Sequence, residues 1–140
     1  MRHFFAAAGF LFAASAAAAT AAPVVATPNQ IVARHIGQFL AHDWNGVMRD
    51  VAPDAVFILG PDTILQGKPA IRAFFLKLGN QKPMPTFEAK LVPAIGDIGQ
   101  EDWIMNPGQP GSMKGRDLFI IRGGKIVFQT TTNVRPADQP

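Results

Sequence analysis

The sequence predicts an α+β domain in which N-terminal helices pack on one face of a curved antiparallel sheet. Apolar residues recur at helical spacing in the first half of the chain and alternate with a period of two in the second half. The chain has 140 residues, of which 48% are hydrophobic and 16% charged, and this suits one small domain. A disordered chain is excluded, because disorder accompanies low hydrophobicity and high net charge.

Residues 1–22 are typical of a secretory signal peptide. Arg2 precedes an apolar run from Phe4 to Ala19, and small residues suited to a cleavage site follow it. The run is shorter than the ~20 residues of a membrane span, although an uncleaved anchor or a buried Ala-rich helix are alternatives. We therefore expect a periplasmic or secreted protein that begins near residue 22 or 23 after cleavage and has no membrane attachment.

Charge and cysteine content exclude several classes of partner and site. The 13 Lys and Arg residues are scattered, whereas nucleic-acid binding needs a clustered basic face, so no nucleic-acid partner is expected. The chain has no Cys, which excludes disulfides and thiolate nucleophiles. We expect no metal and no organic cofactor, because no close cluster of His, Asp and Glu is visible either.

Three helices are predicted in the first half of the chain. Residues 23–29 form an extended linker, and the first helix covers 30–41. Asp43 is a suitable N-cap for a second helix, which Pro53 ends. A third helix begins at Pro69 and stops at Gly79.

Six strands are predicted around and after the third helix. The turn Arg122-Gly123-Gly124 joins the last two of them, a Gly/Pro loop covers 106–112, and residues 136–140 form a polar tail. The predicted strands cover residues 54–59, 63–66, 86–93, 99–105, 113–121 and 125–134.

Four motifs in this order resemble the NTF2-like superfamily, in particular its SnoaL-like and ketosteroid-isomerase-like branch. The motifs are Asp43-Trp44, the segment 52–57 (APDAVF), Gly67-Lys68-Pro69 and the terminal hairpin that ends in Gly124-Lys125-Ile126. The resemblance covers residues 30–134. It implies a sheet wrapped around a helical cone, a pocket inside the cone, and a homodimer formed through the outer sheet face.

The resemblance also implies candidate catalytic positions. His35 stands where ketosteroid isomerases have a tyrosine, and an imidazole can donate to an oxyanion or titrate near neutral pH. Leu59 stands at the position of the carboxylate base, and Lys114 at that of the second oxyanion acid. Steroid isomerase chemistry therefore lacks its base and its tyrosine. We expect His35 to act as acid or base, with Asp117 or Asn133 as its orienting partner.

Two other reactions of the superfamily fit less well. Epoxide hydrolases use an Asp–Arg–Asp set, but Arg116 and Asp117 are adjacent and should point to opposite sheet faces. Dehydratases use a histidine pair with tyrosines, but His35 and His42 lie two helical turns apart and the chain has no tyrosine. His35 as a core histidine and Asp117 as an outer-face ion-pair partner are the alternative readings of these residues.

The predicted pocket is apolar with a polar patch. By the family pattern, alternate residues of the last strand face inward, and together with large apolar side chains they would contact a ligand that carries oxygen functions. Core packing, solvent exposure and a dimer interface are the alternatives for these positions. The predicted ligand-binding residues are Trp44, Phe57, Leu59, Trp103, Lys114, Gln129, Thr131 and Asn133.

The expected function is binding of a small, mostly apolar or partly oxygenated molecule. If the protein is an enzyme, we expect a cofactor-free isomerase, lyase or cyclase that uses acid–base chemistry. The alternative is a non-catalytic binding or dimerisation module of the cell envelope.

Overall fold

The computed structural model describes residues 24–140, so the predicted signal peptide lies outside the described residues. Three helices, α1 (Pro28–Leu40), α2 (Trp44–Asp50) and α3 (Lys68–Gly79), pack against one six-stranded sheet. No helix of this part of the chain is long and apolar enough to cross a membrane. The strands are β1 (Val51–Ile58), β2 (Ile64–Gln66), β3 (Phe87–Ile95), β4 (Ile98–Met105), β5 (Met113–Arg122) and β6 (Lys125–Pro136).

Capping side chains set where the first two helices begin. Thr27 and Gln30 form a reciprocal capping box at the start of α1, so this helix takes in the last two residues of the predicted linker. Asp43 accepts a hydrogen bond of 2.8 Å from the backbone N–H of Gly46 and caps α2 as predicted. These short-range bonds satisfy N–H groups that a helix leaves free at its first turn.

The end of α2 differs from the prediction. The backbone is already extended at Val51, and Pro53 lies inside β1 rather than in front of it. Proline is tolerated there because the register of β1 against β6 is irregular between Val51 and Val56, and Pro53 is exposed.

The sheet has the order β2-β1-β6-β5-β4-β3 and is mixed. β6 pairs with β1 in parallel and with β5 in antiparallel orientation, whereas we expected an antiparallel sheet throughout. The predicted hairpin turn is present, and Gly123 and Gly124 both have positive φ, at 55° and 74°. A two-residue turn of this handedness matches the twist of the strands that it joins.

The core fills the space between the helices and the inner face of the sheet. It includes completely buried side chains from α1, α2, α3 and the central strands: Ile31, Val32, Val47, Phe57, Ile71, Phe119 and Ile126. This core leaves a cavity beside it, between the helices and the sheet.

Candidate functional site

A cavity of about 270 Å³ lies between the helices and the inner face of the sheet. Most of its wall is apolar and comes from α1, α3 and the sheet: Phe39, Leu59, Phe74, Phe75, Leu78, Phe87, Ala89, Trp103, Met105 and Val134. Five polar side chains complete the lining: His35, Glu101, Asp117, Gln129 and Thr131. An apolar cavity with a few converging polar groups is the usual form of a small-molecule site.

The pairing of three strands brings four of the polar groups together. Glu101 of β4 is the register partner of Asp117 of β5, and Asp117 is the partner of Thr131 of β6. Gln129 lies two residues before Thr131 and therefore on the same face. Directly opposed residues have Cβ atoms ~5 Å apart, so the two carboxyl groups are neighbours.

Asp117 is held by hydrogen bonds on both of its oxygens. Trp103 Nε1 donates to Oδ1 at 3.0 Å, and Gln129 Nε2 donates to Oδ2 at 2.7 Å. Burial raises the pKa of Asp117 above its ordinary value, while hydrogen bonds from Thr131, Trp103 and Gln129 act in the opposite direction. These donors favour the ionised carboxylate.

The carboxyl group of Glu101 is not held by hydrogen bonds in the way that Asp117 is. Its side chain is 8% exposed, and its Oε2 atom has no hydrogen-bond partner within the described part of the chain. Burial, together with the charge of Asp117, raises the pKa of Glu101 well above its ordinary value. Of the two neighbouring carboxyl groups, Glu101 therefore has the greater tendency to hold a proton.

Glu101 is absent from the set of residues that the sequence predicted. The predicted strand 99–105 placed Trp103 inward, and Glu101 lies two residues before it, so strand alternation was a signal for it. Phe74 and Phe75, the aromatic wall that α3 contributes, are likewise absent from the predicted ligand-binding residues.

His35 is 2% exposed and lines the cavity from α1. Its ring packs edge-to-face on Phe119, with centroids 5.3 Å apart. Burial lowers the pKa of the imidazole to about 4, and the charge of Asp50 offsets only part of this effect. Nδ1 has no partner among residues 24–140, and the Asp117 oxygens are taken by Trp103 and Gln129 instead. The hydrogen bond expected between His35 and Asp117 is absent from the described structure.

Six predicted residues line the cavity, namely His35, Leu59, Trp103, Asp117, Gln129 and Thr131. Trp44 lies outside it and packs on Phe39 and Phe75, two of the residues that do line it. Phe57 is completely buried in the core and packs edge-to-face on Phe75. Both were expected to contact ligand, and both instead support the aromatic wall.

Lys114 and Asn133 also lie outside the cavity. Lys114 shares its strand face with Arg116, which binds Asp102 at 2.6 and 2.9 Å on the side of β5 opposite to Asp117. A shift in the β5–β6 register between Lys114/Arg135 and Arg116/Thr132 inserts an extra residue in β6. Asn133 lies in this bulge with φ 54°, and the residue that reaches the cavity is Val134.

A glycine on β5 lets Trp103 reach Asp117. Gly115 is the register partner of Trp103, and a Cβ atom at Gly115 would lie 2.5 Å from Trp103 Cζ2. The indole ring therefore occupies space that any other residue at position 115 would fill. This close approach places Nε1 within 3.0 Å of the Asp117 carboxylate.

The cavity has no metal-binding geometry within residues 24–140, where no group of three His, Cys, Asp or Glu residues could hold an ion. Its two carboxyl groups and imidazole are suited to proton transfer, because they place groups that can donate and accept a proton side by side.

A family model that describes the SnoaL-like domain matches residues 32–129. This chain belongs to the SnoaL-like domain family. The match covers α1 from Val32 onward, α2, α3 and the strands as far as Gln129 of β6, and it includes every cavity residue from His35 to Gln129. No curated protein sequence matches the chain.

Solved structures confirm the NTF2-like fold of this SnoaL-like domain. An uncharacterised cystatin-fold protein of Novosphingobium aromaticivorans has a TM-score of 0.66 and 14% identity, covering 77% of this chain and 99% of that one. An NTF2-like protein of unknown function from Burkholderia xenovorans has a TM-score of 0.65 and 17% identity, and the match covers 81% of this chain and 87% of that one. A putative polyketide cyclase from Silicibacter sp. also has a TM-score of 0.65 and 17% identity, and the match covers 79% of this chain and 90% of that one.

Proposed function

We propose that the cavity binds a small, neutral, mostly apolar carbonyl compound and catalyses a proton transfer on it without a cofactor. The observation that carries this proposal is the pair formed by Glu101 and Asp117 in an apolar cavity. Asp117 receives donors on both oxygens and is the base of the proposal, whereas Glu101 has a buried oxygen with no partner among residues 24–140 and is the acid. An isomerase, lyase or cyclase needs such an acid and base at the same place.

The two carboxyl groups take complementary roles in the proposed step. Asp117 accepts a proton from the carbon next to the substrate carbonyl, and Glu101 gives its proton to the carbonyl oxygen. The product is an enol, with Asp117 protonated and Glu101 ionised. Where the substrate carries a C=C bond conjugated with this enol, return of the proton from Asp117 to the far carbon of that bond, while Glu101 recovers its proton from the enol oxygen, completes an isomerisation and restores both groups.

His35 contributes a neutral hydrogen-bonding group in this scheme. With a pKa of about 4, the imidazole is uncharged at neutral pH. A buried cation beside the substrate is therefore not part of the proposed chemistry, and the aromatic wall excludes water from the enol.

A hydrogen-exchange assay tests the proposal before any natural substrate is known. The wild-type protein, incubated with β-tetralone in deuterium oxide, should exchange the α-hydrogens faster than buffer does, as followed by proton NMR. The substitutions Glu101→Gln and Asp117→Asn should each lower the exchange rate at least ~100-fold, the usual scale of general acid–base catalysis. Glu88→Gln is the matched control, because Glu88 is an exposed carboxyl group of β3. Exchange that is equal in wild type and both site variants would refute the catalytic roles.

A second candidate function is binding without chemistry. The specific observation that favours it is the engagement of both Asp117 oxygens, which lowers the basicity of this carboxylate. In that case β-tetralone would displace a neutral fluorescent dye such as N-phenyl-naphthylamine from the cavity, and no exchange above buffer would occur.

We also propose that the chain is exported and forms a homodimer. Export is supported by the composition of residues 1–22, and the dimer by the family resemblance. Sequencing the N-terminus of protein from a periplasmic fraction tests the first proposal, with residue 22 or 23 expected first. Light scattering on the mature chain tests the second, and a monomer mass would refute it.

A further inference from the structure

A second cavity of about 240 Å³ adjoins the first one. Its walls come from the C-terminal end of α1 and from the segment 84–86 that precedes β3, and they include His42 and Met84. Phe39 and Phe87 line both cavities. These two side chains are therefore the partition between two adjoining spaces of similar size.

The partition is a single aromatic contact. Phe39 and Phe87 pack edge-to-face, with ring centroids 5.1 Å apart and an interplanar angle of 79°. Phe39 is also held by Trp44 and Phe75, at 5.8 and 6.0 Å. Phe87 has no aromatic neighbour other than Phe39 in the described part of the chain. Of the two rings, that of Phe87 can therefore be removed with the smaller effect on packing.

The backbone that carries Phe87 is anchored independently of its ring. Phe87 is the register partner of Met105, and the preceding residue exchanges two hydrogen bonds with Asn106, of 2.7 and 3.0 Å. Removal of the ring should therefore open the partition and leave the strand in place.

The partition and the carboxyl pair lie several residues apart along β4. Met105, opposite Phe87, follows Glu101 by four residues along β4, a distance of ~13 Å at 3.3 Å per residue. A ligand whose oxygen contacts Glu101 thus extends its apolar end toward the partition.

We propose that the Phe39–Phe87 pair sets the maximum length of the ligand, and that the second cavity would receive the end of a longer one. This inference rests on the proposed binding of a neutral, mostly apolar molecule in the first cavity. The wild-type protein would be selective for compact ligands because the aromatic pair stands between the two cavities.

A homologous series of linear alcohols tests the inference. Hexanol, octanol, decanol and dodecanol are neutral, carry one oxygen, and differ only in apolar length. Their affinities are measured by displacement of N-phenyl-naphthylamine. In wild type, affinity should rise about four-fold per added methylene and then stop rising. In Phe87→Ala the rise should continue to a longer alcohol, and Phe87→Leu should be intermediate.

Phe74→Ala is the matched control. Phe74 lines the first cavity and does not line the second, so this variant removes an equal ring and leaves the partition intact. The length at which affinity stops rising should be unchanged in it. The proposed role of the partition would be overturned if the alcohol length at which affinity stops rising shifted equally in Phe74→Ala and Phe87→Ala. It would also be overturned if this length shifted in neither Phe87 variant. Failure of every alcohol to displace the dye from wild type would overturn the proposed binding function and, with it, this inference.

Discussion

Replacement of Gly115 by alanine should break the hydrogen bond from Trp103 to Asp117, although Gly115 itself does not line the cavity. A Cβ atom at this position would lie 2.5 Å from Cζ2 and 2.9 Å from Cε2 of Trp103. β5 pairs with β4 and β6 on its two sides, so its backbone has little freedom to withdraw. The indole must move instead, and its 3.0 Å hydrogen bond to Asp117 Oδ1 is lost.

The contacts give the size of the effect. Overpacking of a core position costs about 1–3 kcal/mol of unfolding free energy. Loss of a hydrogen bond to a charged group costs about 1.5–3 kcal/mol more. The alanine reduces the entropy of the unfolded chain, which returns roughly 0.4–1 kcal/mol. Combining the two costs and the entropic gain, we expect Gly115→Ala to lower the free energy of unfolding by about 2–5 kcal/mol.

Urea unfolding, followed by circular dichroism, measures this loss. Gly37→Ala is the control, because Gly37 lies in α1 and a Cβ atom there would meet nothing within 4 Å. That variant should gain ~0.5–1 kcal/mol from helix propensity. In a Trp103→Ala background, Gly115→Ala should cost much less, since the ring it strikes is gone. Equal unfolding midpoints for wild type and Gly115→Ala, at equal slope, would refute the reasoning.

Three further predictions concern buried charge. Burial raises the pKa of Glu101 on folding, so the wild type loses stability as pH rises above about 4.5. Urea titrations should show Glu101→Gln gaining stability relative to wild type as pH rises above that value, and a difference that does not change with pH would contradict this. His35 makes the free energy of unfolding depend on pH in the opposite direction, because its pKa falls from 6.5 to about 4 on folding. Acidification across that interval should therefore lower the free energy of unfolding by up to ~3 kcal/mol. The variant His35→Leu should not show this loss. Arg34 donates to both oxygens of Asp50, which is 3% exposed. Arg34→Met should cost about 2 kcal/mol even though the guanidinium is half exposed, whereas the control Arg49→Met, which breaks an exposed contact of 3.5 Å, should cost under ~1 kcal/mol.

The positions of the secondary-structure elements follow from local sequence signals. Asp43 and Gly46 lie three residues apart, and Gly123 and Gly124 are adjacent, so the cap and the turn need no distant contact. The end of α2 is the exception. Pro53 stops a helix in isolation, but the pairing of Val51 with Ile126 of β6 starts the strand two residues earlier.

The candidate site could be predicted where strand alternation is undisturbed. Trp103, Asp117, Gln129 and Thr131 all face the cavity in the expected phase. Asn133 does not, because a bulge in β6 changes the phase after Thr132, and a bulge arises from pairing with β5 rather than from the residues of β6 alone.

The amino-acid pattern alone was enough to assign the α+β class, the family resemblance and an inward-facing polar patch, because periodicity, capping and turn chemistry act over a few residues. The tertiary structure decided which titratable groups meet. Glu101 and Asp117 are 16 positions apart in the chain and become neighbours only through the β4–β5 register. Their ionisation is likewise a tertiary property, since it depends on which carboxyl group receives the donors of Trp103 and Gln129 and which keeps a buried oxygen with no partner among residues 24–140.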